Sequence, residues 1–121
     1  IFGNGAAELI FALAMGLKPK KALLTIPGFA EYEQALSAMG CDCIYYNRRD
    51  GFLVGEDFLD QIGDGLDLVI LCNPNNPTGD LLEKAFLKRV LDQCRRHGTV
   101  LAVDERFLGF LEKPADYSLK E

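Results

Sequence analysis

Three asparagine amides in a rigid turn, and one aspartate delivered by the next buried strand, are the residues of this chain best placed to do chemistry. The turn is Cys72-Asn73-Pro74-Asn75-Asn76-Pro77-Thr78-Gly79, and it closes the apolar stretch Leu66-Asp67-Leu68-Val69-Ile70-Leu71. One proline and one glycine suffice to end a strand, so the full string is more than a turn requires. The next apolar run, Val100-Leu101-Ala102-Val103, carries Asp104 at its end. An unpaired carboxylate there would be costly to bury, so Asp104 needs a partner. Within the chain the choices are Arg106 or a backbone amide; from outside, a cationic group of a ligand. An amide and a carboxylate at neighbouring strand ends make a site for a polar, heteroaromatic molecule.

Two further motifs carry a chemical reading beside a structural one. Gly3-Asn4-Gly5-Ala6-Ala7-Glu8 opens a helix with two glycines. Such a start leaves backbone N–H groups unpaired with the helix dipole behind them, which suits a phosphate, although glycine before a helix is common. In Pro27-Gly28-Phe29-Ala30-Glu31-Tyr32, both aromatics suit a core at helical spacing. Tyr32 in particular reads as core.

The elements that must position these residues alternate along the whole chain. Ile10, Leu13, Ala14 and Leu17 fall at i, i+3, i+4, i+7 and mark a first helix; Tyr32, Ala35, Leu36 and Met39 mark a second, ended by Gly40. Leu87, Val90, Leu91 and Cys94 mark another, ended by Gly98. Residues 56–62 read as a short helix with Phe58 and Ile62 inward. Strands are expected at 22–26, 43–46, 66–71 and 99–103. Unbroken apolar strands alternating with helices predict an α/β fold, a mainly parallel sheet flanked by helices. Ligands of such sheets gather beyond the carboxyl ends of the strands, where Asn76 and Asp104 both fall. The tail, 113–121, reads as polar and loose.

Composition narrows the function classes. At 121 residues and 49% hydrophobic, the chain can bury one modest core. A net charge of −5 disfavours a general nucleic-acid or acidic-membrane surface. No stretch approaches the roughly 18 apolar residues of a membrane span. The opening Ile1-Phe2-Gly3-Asn4-Gly5 lacks the features of a signal peptide and reads as the interior of a larger chain. Cys41, Cys43, Cys72 and Cys94 lack the spacing of a zinc site, and His97 has no ligand-spaced companion, so no metal is expected. The cysteines read as small buried residues in a reducing cytosol.

Together, Gly3-Asn4-Gly5-Ala6-Ala7-Glu8, Asn73-Pro74-Asn75-Asn76-Pro77-Thr78-Gly79 and Asp104-Glu105-Arg106-Phe107 resemble the cofactor-binding heart of the class I/II aminotransferases. These are fold-type I enzymes that use pyridoxal 5'-phosphate (PLP), and the resemblance covers nearly the whole chain. It implies that the backbone amides of Gly5 and Ala6, flanked by Asn4 and Ala7, bind the cofactor phosphate. It implies that Phe29 stacks on the pyridine ring and that Asn76 hydrogen-bonds the phenolic oxygen. Asp104 would pair with the protonated ring nitrogen and so serve catalysis, making the ring an electron sink. Asn73 and Asn75 would hold the turn.

Two departures stand out: Ala7 lacks the hydroxyl or acid often found there, and Phe107 stands where a tyrosine is usual. The subfamily pattern looks most like threonine-phosphate decarboxylases of cobalamin biosynthesis, with histidinol-phosphate aminotransferases next. By the same resemblance, residues 1–121 are part of the large domain, without the Schiff-base lysine segment and the small domain. Lys120 reads as a surface lysine. The implied parent is a cytoplasmic homodimer acting on an amino acid or its phosphate, and the piece alone is expected to be inactive. Transamination and decarboxylation are not separated, and a non-catalytic α/β module binding a phosphorylated ligand is the rival of another class.

Overall fold

The computed structural model describes residues 3–120, apart from the side chain of Phe52. Ile1, Phe2 and Glu121, which belong to the opening and the tail of the sequence reading, lie outside those residues. Helix α1 (Ala6–Leu17) is followed by β1 (Lys21–Ile26), α2 (Ala30–Ala38) and β2 (Asp42–Asn47). After two 3₁₀ turns come β3 (Leu68–Cys72), α3 (Lys84–Arg96) and β4 (Val100–Asp104). The strands form one sheet in the order β2-β1-β3-β4, and every pairing is parallel. The α/β class expected from the apolar runs is the one observed.

Alternation along the strands divides the core between the two faces of the sheet. Ala22 and Leu24 of β1, with Leu68, Ile70 and Cys72 of β3, pack against Ile10 and Ala14 of α1 and Tyr32, Ala35 and Leu36 of α2. Leu23, Val69 and Leu71 face the other way, onto Phe58, Ile62, Leu87, Val90 and Cys94. Strand β3 is therefore buried along its whole length, which is why its sequence is an unbroken apolar run. Burying each such side chain stabilises the fold by about 1.5–3 kcal/mol. Leu17 and Met39, the last members of the two helical spacings, are exposed.

The short helix expected at 56–62 is present as a 3₁₀ segment, Glu56–Gln61, with Phe58 and Ile62 inward as expected. Gly55 and Gly63 bracket it closely, and short segments favour the tighter helix. The tail is docked rather than loose. Asn73 Nδ2 donates to the Tyr117 carbonyl at 2.9 Å, and the buried Ser118 hydroxyl donates to Glu105 Oε2 at 2.9 Å. Polar composition misled here because the tail is held by hydrogen bonds from and to polar side chains, with Leu119 packed against the core.

Candidate active site

Parallel pairing in register sets Cys72, the last residue of β3, beside Asp104, the last of β4. The chain then leaves β3 as the asparagine turn, whose first amide, Asn73 N–H, donates to the Asp104 carbonyl at 2.9 Å. The start of the turn is thus fastened to the backbone of Asp104 at the carboxyl edge of the sheet.

Within the turn, the three asparagines divide their work. Asn73 is fully buried; its Oδ1 accepts from Leu82 N–H at 2.8 Å and its Nδ2 donates to the Leu82 carbonyl at 3.1 Å. Asn75 Nδ2 donates to Thr78 Oγ1 at 2.7 Å and to the Pro27 carbonyl at 3.3 Å. Gly79, at φ 77°, lets the chain reverse so that its N–H reaches the Asn75 carbonyl at 2.8 Å. Asn73 and Asn75 therefore hold the turn, as expected from the resemblance. Asn76 is half-buried, and its carboxamide makes no hydrogen bond among the described residues.

A buried ion pair braces the far end of the turn. Arg48 Nη1 lies 2.7 Å from Asp80 Oδ2, and Nη2 donates to Thr25 Oγ1 of β1 at 3.1 Å. The Thr78 hydroxyl donates to the other Asp80 oxygen. Burial pushes the Arg48 guanidinium down, and the Asp80 charge opposes that shift. Sequence reading passed over this pair; the one available signal was an arginine directly after a strand, facing an acid directly after a glycine turn.

Asp104 is half-buried, and both of its oxygens are engaged. Oδ1 accepts the Arg106 backbone N–H at 3.0 Å, and Oδ2 accepts the Tyr32 hydroxyl at 2.7 Å. Of the partners weighed from sequence, the backbone amide is the one present. The Arg106 guanidinium instead lies over the Phe107 ring, 5.2 Å from its centroid. Tyr32, read as core, is indeed 5% exposed, but its hydroxyl belongs to the site. A buried tyrosine must satisfy its O–H, and that was the signal available in the sequence. Its phenol is pushed well above the ordinary tyrosine range, first by burial and then by Cys72 and Asp104, so it stays a neutral donor. Phe29 packs edge-on to Tyr32, with ring centroids 5.4 Å apart.

Opposite Asp104, α1 begins at Gly5 (φ 89°) with no side chain capping its first turn. The Glu8 carboxylate accepts the Asn4 N–H. Between α1 and the end of β4 lies a cavity of about 830 Å³, whose lining includes Gly5, Ala6, Tyr32, Asp104 and Arg106. Three of the six candidate residues, Gly5, Ala6 and Asp104, therefore share one cavity; Ala7, Phe29 and Asn76 are not part of its lining. Lys120 also borders it, with an exposed side chain 3.9 Å from Glu105 Oε2. Among the described residues no group of three or more His, Cys, Asp or Glu could hold a metal ion, and no helix is long and apolar enough to cross a membrane.

The family described as "Aminotransferase class I and II" matches residues 1–119. Threonine-phosphate decarboxylase of Salmonella typhimurium is 41% identical over 111 residues, spanning 90% of this chain and 30% of that protein. The histidinol-phosphate aminotransferase structure from Clostridium acetobutylicum superposes with a TM-score of 0.86 at 30% identity, covering 98% of this chain and 35% of that one. The PLP-bound C-S lyase from Staphylococcus hominis shares the fold at a TM-score of 0.77 and 21% identity, over 87% of this chain and 29% of its own. The chain thus spans about a third of the length of the proteins it matches.

Proposed function

The chain belongs to the class I and II aminotransferase family, and from that premise we propose that it supplies part of the cofactor-binding domain of a PLP enzyme acting on an amino-acid phosphate. The observation that carries this reading is the Asp104 carboxylate, set on the wall of a cavity whose other side is the uncapped start of α1. The cavity wall offers groups that suit the cofactor, in Gly5, Ala6 and Asp104. The first-turn amides following Gly5 suit its phosphate, aided by the helix dipole. The unpartnered Asn76 carboxamide suits a phenolic oxygen, and Asp104 keeps acceptor capacity beyond its two donors. Phe29, at the turn before α2, is assigned to the ring face.

When bound, PLP supplies an electron sink for chemistry at the substrate's α-carbon. What this chain does is hold charge and geometry. Asp104 stabilises a proton on the ring nitrogen, Asn76 orients the phenolic oxygen, and the α1 amides anchor the phosphate without a titrating group. Ala7 contributes a backbone amide alone, and Phe107 leaves Asn76 as the side-chain donor to the phenolic oxygen. The lysine that holds PLP and moves the proton is assigned to sequence beyond these residues, together with a small domain, and the parent is read as a cytoplasmic homodimer.

Threonine phosphate decarboxylation is the first choice of reaction, supported by the 41% identity to that enzyme over 90% of this chain. Amino-group transfer from histidinol phosphate is the second, supported by the TM-score of 0.86. The test is a titration of the full-length protein with PLP and with inorganic phosphate, followed by assays for CO2 release from threonine phosphate and for amino-group transfer from histidinol phosphate. Tight PLP binding with CO2 release is the expected result. Equal affinity for PLP and phosphate, with neither activity, would mean a phosphate-binding module instead.

A further inference from the structure

Tyr32 is the group around the cavity that the proposed reaction does not yet use. Its ring is locked in the core beneath α1 and α2, edge-on to Phe29. Its hydroxyl reaches out of that core to Asp104 Oδ2 at 2.7 Å, across the sheet face. The Cys72 thiol sits beside the same hydroxyl and donates its own proton to the Pro74 carbonyl at 3.1 Å. Because the thiol proton is spent on Pro74, the tyrosine proton is left for the carboxylate. Asp104 is then gripped at both oxygens, by a side chain of α2 and by the Arg106 backbone N–H at 3.0 Å.

We propose that Tyr32 is the positioning residue of this site: its hydroxyl fixes the rotation of the Asp104 carboxylate and links it, past Cys72, to the asparagine turn. The inference rests on the reading of Asp104 as the partner of the ring nitrogen. A carboxylate held by one backbone donor can turn about its Cβ–Cγ bond; one held at both oxygens cannot. A carboxylate aimed in advance gives its full electrostatic stabilisation without reorganising during the reaction. Tyr32 can do this at any working pH, because its phenol remains protonated. Since α2 carries Tyr32 and also begins at Phe29, one helix would set both the ring-stacking turn and the orientation of the acid.

The experiment is a double-mutant cycle in the PLP-loaded full-length enzyme, with Tyr32→Phe, Asp104→Asn and the double variant. It reads kcat, KM, PLP affinity and the pH profile of the bound cofactor's absorbance. Tyr32→Phe keeps the ring and is expected to lower kcat about tenfold, the effect of losing a hydrogen bond to a charged group, with KM within about twofold. It should shift the absorbance profile and add no further loss in the Asp104→Asn background. Replacing Tyr32 with 3-fluorotyrosine, an equally packed but stronger donor, should shift the profile the opposite way. A Tyr32→Phe enzyme with normal kcat and absorbance, beside a crippled Asp104→Asn, overturns the inference and leaves the Asp104 assignment standing. So does an equal loss from Tyr32→Phe in both backgrounds. Normal turnover in Asp104→Asn removes the assignment of Asp104 itself, and the role of Tyr32 with it.

Discussion

Asp104 and Phe107 make the residue-level assignments testable separately from the fold. Asp104→Asn keeps the shape and the hydrogen-bonding capacity but removes the charge. Removing one partner of a desolvated charge pair costs about 3–5 kcal/mol, which corresponds to roughly 10²–10⁴-fold in kcat if that pairing is made during the reaction. PLP should remain bound, as seen by its absorbance after gel filtration. Phe107→Tyr should leave kcat within about threefold, because it adds a donor near a position Asn76 already serves, while moving the absorbance pH profile. The buried thiols give a pH prediction. Burial pushes Cys41 and Cys94 up to about 11 from an ordinary 9. Folding therefore keeps protons that the unfolded chain loses, so the stability they contribute is complete below pH 9 and disappears as pH rises through 11. Urea midpoints measured across that window should fall, and Cys94→Ala should flatten part of the fall.

At the level of elements, the asparagine turn depends on its bracing more than on its own residues. The Arg48 side chain is fully buried and that of Asp80 is 12% exposed, so neither charge is solvated once the other is removed. Arg48→Met should cost about 3 kcal/mol in urea denaturation and weaken PLP binding, since the same segment carries Asn76. Adding Asp80→Asn should recover most of the stability; a double variant no better than Arg48→Met would show that the pair is not what braces the turn. The turn after β1 is equally constrained. A Cβ on Gly28 would collide with the Thr25 carbonyl oxygen, which is backbone and cannot move aside. Gly28→Ala should therefore destabilise by about 1–3 kcal/mol and shift the start of α2, detectable as a loss of PLP affinity larger than that of an exposed control such as Ala38→Gly.

On the scale of the whole molecule, the described surface carries several large exposed apolar side chains. Met15 of α1 is 58% exposed, Val100 on the outer strand β4 is 42% exposed, and Phe110 is 85% exposed. Strand β4 pairs with β3 alone among the described residues. Exposed apolar side chains beside an unpaired strand edge favour association. The 121-residue chain by itself should therefore form concentration-dependent oligomers in light scattering, reduced by Met15→Lys. It should also show no turnover with threonine phosphate. Borohydride reduction in the presence of PLP, followed by peptide mapping, should find adducts scattered over exposed lysines. A single dominant adduct at Lys120, which borders the cavity, together with CO2 release would place the reactive lysine there instead.

The apolar runs and helical spacings already implied the parallel α/β fold, because strands buried on both faces must be apolar throughout and their helices must be amphipathic. They also implied that Asn76 and Asp104 fall at one edge, since parallel strands all end on the same side. That Asn73 and Asn75 hold the turn was expected from the family resemblance, and their hydrogen bonds bear it out. The partner of Asp104 was not legible. Tyr32 lies 72 positions away in the chain, and a helical aromatic at core spacing looks the same whether its hydroxyl faces solvent, backbone or an acid. The Arg48–Asp80 brace and the docked tail were hidden for the same reason. Their partners are distant in sequence and meet only once the sheet has formed. Periodicity records which face of an element is buried, whereas a side-chain hydrogen bond needs two particular atoms within about 3 Å, and tertiary packing decides that distance.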